Sequence, residues 1–125
     1  MANWHDLAED ELIARLVIVY SRIAAACALF PVPYNLPTAR PGATVGEFFE
    51  GVAHLSNISD EIPDIPKDVA AALDTSCTYW VAASDVLALH IAQPNKCRAR
   101  AFGLCLTGAE VHLNDVVDWL AQDAS

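Results

Sequence analysis

Apolar side chains return every third or fourth position over long stretches of this sequence, the spacing of one face of an α-helix. Leu12, Ile13, Leu16, Val17, Tyr20, Ile23, Ala24 and Cys27 make the first such stripe, which predicts a helix over residues 4–30. Acids crowd its first turns, where they favour the positive end of the helix dipole, and Pro31 and Pro33 stop it. Residues 16–20 also have strand propensity, but no turn residue interrupts the helical pattern for many residues on either side. Five prolines and glycines in residues 31–42 then predict a stiff, irregular connection.

A second helix is expected from Thr44 to about residue 57. Thr44-Val45-Gly46-Glu47 has the form of a capping box, in which Thr44 and Glu47 satisfy each other's backbone donors. Val45, Phe48, Phe49, Val52 and Leu55 are its candidate core residues. After a loop over residues 59–65, Pro66 suits the first turn of a third helix. The stripe of that helix is Val69, Leu73, Cys77, Trp80, Ser84, Leu87 and Ile91, and Pro94-Asn95 ends it. Residues 97–106 read as a short helix, although the alternation Arg98, Arg100, Phe102, Leu104 also permits a strand. Thr107-Gly108-Ala109-Glu110 repeats the capping pattern and predicts a last helix to about residue 121, with Leu113, Val116, Val117 and Leu120 inward.

The fold class that follows is all-α: one domain over residues 1–125, a compact bundle of four main helices with a possible fifth short one. The first and third helices are apolar over more than one face. A bundle this small leaves some of that surface uncovered, and a homodimer through Ile18, Tyr79 and Val86 is the expected use of it.

Composition narrows the reading. Sixteen acids against seven bases give a net charge of −9. Nucleic acid and anionic membranes are disfavoured as partners, because binding to either depends on Lys and Arg. A protein with a basic surface is favoured. Residues 12–30 are long enough to span a bilayer, but Arg15 and Arg22 lie within them. Asp6, Glu9, Asp10 and Glu11 stand where a signal peptide would be basic, so a cytoplasmic protein is expected. Cys27, Cys77, Cys97 and Cys105 have no CxxC spacing and read as small apolar residues.

Candidate chemistry is sparse. His90, Cys97, Cys105 and His112 are zinc-type ligands within 23 residues. They could meet only if the chain folded back at Pro94 and again at Gly103, so no metal or other cofactor is assigned. Glu47, Glu50 and His54 share adjoining turns opposite an apolar face, as a solvated surface would. His112 and Asp115 could form an oriented imidazole, yet no nucleophile motif accompanies them. Lys96, Arg98 and Arg100 are the one basic cluster, without the glycine-rich loop of a phosphate site. Two acidic stretches remain as partner-binding candidates: Glu47, Glu50, Asp60 and Glu61, and then Asp115 and Asp118. The expected function is a non-enzymatic domain that binds a protein partner with a basic surface, such as one that holds nucleic acid, as an inhibitor, immunity factor or assembly adaptor. The alternative is an enzyme or ligand binder with a pocket inside the bundle, using His54 and Glu50 or His90.

Overall fold

The computed structural model describes residues 4–38 and 42–123, and the backbone alone of Asp123. Arg40 and Pro41 of the proline-rich connection, and the extreme ends of the chain, lie outside the described residues. The architecture is all-α: a 3-10 turn (Trp4–Asp6), α1 (Glu9–Ala28), α2 (Val45–Ile58), a second 3-10 turn (Ser59–Glu61), α3 (Lys67–Ala92) and α4 (Lys96–Asp123). These elements form a four-helix bundle with no strand among the described residues.

The first helix starts later than its stripe predicts. Ala8 is extended (φ −68°, ψ 157°), so α1 begins afresh at Glu9. The break turns Trp4 onto α4, where its ring meets Phe102 edge-on at 5.7 Å. The Arg15 guanidinium lies 5.2 Å over the same indole, a cation–π contact.

The proline-rich connection is a packed crossover strap. From the end of α1 it runs back beside α1 and α2: the Tyr34 N–H donates to the Cys27 carbonyl at 3.0 Å, and the Tyr20 hydroxyl donates to the Pro37 carbonyl. A Cβ at Gly51 would stand 3.0 Å from the Pro37 ring. Because the strap returns the chain, α2 runs in the same direction as α1.

Thr44 caps α2, accepting from the Glu47 N–H at 3.2 Å, which is the forward half of the predicted capping box. Phe48, Val52 and Leu55 are buried, while Val45 and Phe49 are only half-buried. α3 reverses direction, and Trp80 pins it to α1 by an indole N–H bond to the Leu16 carbonyl at 2.9 Å. Tyr20 stacks on Phe48 with ring centres 4.2 Å apart and tilts against Trp80 at 5.7 Å, so three helices meet at one aromatic centre. In the last turn of α3, His90 is buried and Ile91 is exposed, one position off the predicted stripe.

The largest correction concerns the C-terminal third. Residues 97–106 are neither a strand nor a separate short helix, and Thr107 opens nothing. α4 is one continuous helix from Lys96. Asn95 supplies its cap, accepting through its side-chain oxygen from Cys97 N–H at 2.7 Å and Arg98 N–H at 3.4 Å. Since the helix starts there, its buried stripe is set there: Ala99, Phe102, Leu106, Ala109, Leu113 and Val116. Val117, expected inward, lies on the same side but is 42% exposed, at the groove between α4 and the end of α1. α3 and α4 pack antiparallel, and the Ser76 hydroxyl in their buried seam donates to the Ala109 carbonyl at 2.7 Å.

Candidate interaction surface

α1, α2 and α4 run one way and α3 the other. One end of the bundle therefore collects three helix C-termini and the N-terminus of α3. Helix C-termini carry partial negative charge. The carboxylates of Asp60, Glu61, Asp64, Asp68, Asp115 and Asp118 lie at this same end, with Lys67 among them. Two hollows flank the first turns of α3. On the α4 side, Asp68, Val69, Ala72, Asp115, Asp118 and Trp119 line one of about 340 Å³. On the α2 side, Ser56, Asn57, Asp60, Lys67 and Asp74 line a larger cleft of about 750 Å³. Ser56 donates there to the Asp74 carboxylate.

The fold thus brings Asp60, Glu61, Asp115 and Asp118 to one end from two distant stretches of sequence. It does not bring Glu47 and Glu50 with them. Ser56 already meets Asp74, two turns into α3, whereas Asp115 lines a hollow with Asp68. Glu50 and Glu47 stand about 9 to 14 Å further back along α2 than Ser56, and both are exposed. Comparison with protein-family models, curated proteins and solved structures gives no match. The site is therefore read from its own geometry.

The other candidates scatter. Cys97, Cys105 and His112 share one straight helix, with about 22 Å between the first and the last. His90 is occupied locally, its Nδ1 accepting from the Asn95 N–H at 3.1 Å. Among the described residues no three His, Cys, Asp or Glu side chains group as a metal site would. Burial pushes the Cys27 thiol up to about 12 and raises those of Cys77 and Cys105 above their ordinary value, which keeps them protonated and unreactive. His54 is exposed beside Tyr34 on α2, whereas His90 lies at the opposite end of α3, so the residues of the ligand-pocket alternative do not converge. His112 stacks on Tyr79, ring centres 5.7 Å apart and nearly parallel. Of the basic cluster, Arg98 donates to the Gln93 carbonyl at 2.7 Å, while Lys96 and Arg100 are exposed.

The expected dimer residues do not share a face. Ile18 is 58% exposed, one turn before Arg22, which pairs with Glu110 at 3.0 Å. Tyr79 packs over Gly108 and His112. Glu110 and His112 point about 200° apart around α4, so Ile18 and Tyr79 lie on different sides of the molecule. Val86 is half-buried against the core.

Two features escaped sequence reasoning. Asp68 joins Asp64 at the acidic end, which the Pro66 boundary could have signalled. An apolar groove of about 550 Å³ also runs between Ala25 and Leu29 of α1 and Val117, Leu120 and Ala121 of α4. Only the packing of α1 beside α4 reveals it.

Proposed function

We propose that this protein is a non-enzymatic binding domain whose acidic end receives a basic surface of another protein, as an inhibitor, immunity factor or assembly adaptor does. The observation that carries this reading is the coincidence of six carboxylates with three helix C-termini at one end of the bundle. At the three C-termini side-chain charge and backbone dipole add; only at the N-terminus of α3, beside Asp68, do they oppose. Asp115 and Asp118 lie in the last turns of a helix whose final turn has no basic residue, where local electrostatics favours Lys or Arg. The cleft between α2 and α3 suits an inserted Lys or Arg side chain, since Asp60 and Asp74 line it. Such a partner surface is of the kind that holds nucleic acid. We place the protein in the cytoplasm, where its four free cysteines are stable as thiols. No helix among the described residues is long and apolar enough to cross a membrane. We read the leftover apolar surface as that of a homodimer.

The test is association kinetics with a basic partner recovered from host lysate. Asp60→Lys with Glu61→Lys, and separately Asp115→Lys with Asp118→Lys, should each slow association about tenfold or more at low salt and leave dissociation nearly unchanged. Glu47→Lys with Glu50→Lys should do less, because those residues stand away from the acidic end. Circular dichroism would confirm that every variant is folded. Wild-type kinetics in all three variants, or no recoverable partner, would reduce the acidic end to a solubility device.

A further inference from the structure

The outward side of α4 carries a stripe that the bundle does not use. Cys97, Leu104, Val111 and Asp118 are spaced by seven residues, which on an α-helix returns to nearly the same direction. Arg100, Thr107 and Asp115 lie between them on that side, and all seven residues are exposed. Leu104 and Val111 are among the large apolar side chains most open to water, at 73% and 55%. The buried stripe of α4, from Ala99 to Val116, is on the opposite side. This outer stripe has a sequence of its own: bases at the start (Lys96 and Arg100), apolar residues in the middle, acids at the end (Asp115 and Asp118).

That order is self-complementary. We propose that the outer face of α4 takes a second copy of this chain, antiparallel, about a two-fold axis level with Thr107 and Gly108. Such an axis sets Leu104 of each copy against Val111 of the other. It sets Arg100 level with Asp115 of the second copy, one turn from Asp118, with Lys96 just beyond. A parallel pair would oppose like charges at both ends. In an isologous contact each complementary pair occurs twice, so the charge pattern counts double. Thr107 is small and lets the helices approach at the axis, much as small residues do where two helices cross closely.

This inference rests on the homodimer reading and names its face, which is neither Ile18 nor the Tyr79 and Val86 side. It does not depend on the basic partner. The pairing engages Asp115 and Asp118 and leaves Asp60 and Glu61 open, so a second copy and a basic protein would compete on α4 alone.

Sedimentation velocity on the purified chain in low salt, from about 5 to 500 µM, covers the range in which so small a contact dissociates. The wild type should pass from monomer to dimer. Arg100→Glu alone and Asp115→Arg alone should each weaken the dimer about tenfold or more, because each creates two like-charge oppositions. An equimolar mixture of the two variants should restore it, since both oppositions become attractive in the mixed pair. The double variant on one chain should restore it too. A wild type that stays monomeric throughout overturns the homodimer reading and this face together. A dimer unaffected by either single variant, or single variants that stay monomeric when mixed, overturns the face alone. Recovery on mixing also shows that neither variant is misfolded.

Discussion

Trp4 and Gly103 hold one another in place. A Cβ on Gly103 would stand 2.3 Å from the Trp4 indole, so the residue is glycine because an aromatic ring rests on the helix there. Glycine inside a helix costs about 1 kcal/mol relative to alanine, which the seating of Trp4 must offset. Gly103→Ala sets these two effects against each other. In the wild-type background it should destabilise by about 1 kcal/mol, since displacing a large half-buried aromatic loses more, at about 2 kcal/mol, than the helix gains. In a Trp4→Ala background the same change should stabilise by up to about 1 kcal/mol. Urea denaturation of the four proteins reads both signs, and equal effects in the two backgrounds would show that Trp4 does not act through Gly103. None of this was legible in sequence. Trp4 fell inside a predicted helix, and Gly103 looked like an interruption, because a contact between residues 99 positions apart leaves no local signal.

At the scale of elements, Thr44-Glu47 and Thr107-Glu110 match the same capping pattern, yet only the first opens a helix. What separates them is the chain before. Gly42, with φ at +86°, precedes Thr44 and holds the backbone out of a helix, whereas Thr107 follows an uninterrupted run with no breaker. A capping pattern thus marks a start only where the preceding residue is held outside helical geometry. The cap that does serve the C-terminal third is Asn95, read from the sequence merely as part of a breaker. Asn95→Ala should cost about 1 kcal/mol by freeing two N–H groups. Thr107→Ala, in an exposed helix interior, should instead gain up to about 0.5 kcal/mol, because alanine is the better helix former. Thermal or urea denaturation checks both, and a loss at Thr107 comparable to that at Asn95 would reinstate the second box. The apolar periodicity itself was reliable: it located all four helices and most of the core. It failed at Val117 and Ile91, which are in phase with their stripes but lie towards helix ends, where the neighbouring helices leave them open.

For the whole molecule, charge balance was legible and charge placement was not. Sequence grouped Glu47 and Glu50 with Asp60 and Glu61 because they are neighbours along the chain. The fold instead groups Asp60 and Glu61 with Asp115 and Asp118, because α3 runs against its neighbours. An acidic end so built repels itself, and added salt screens that repulsion within about 10 Å at 0.1 M. Raising sodium chloride from about 0.02 to 0.5 M should therefore raise the melting temperature by a few degrees, while the same salt slows association with a basic partner. Calorimetry across that range decides it. A melting temperature that falls would mean that attractive pairs such as Arg22–Glu110 outweigh the crowding of like charges.

The α3–α4 hairpin also orders events in time. Its two long helices are joined by three residues, Gln93, Pro94 and Asn95, so they find each other by closing a very short loop. α1 has no such neighbour. Its anchoring bond, from Leu16 to Trp80, spans 64 residues, and its seat is built by helices that follow it in the chain. A polypeptide emerging from the ribosome presents α1 before the helices that complete its seat. Leu12, Leu16, Tyr20 and Ile23, wholly buried at the end, have no complete seat until α3 has been synthesised.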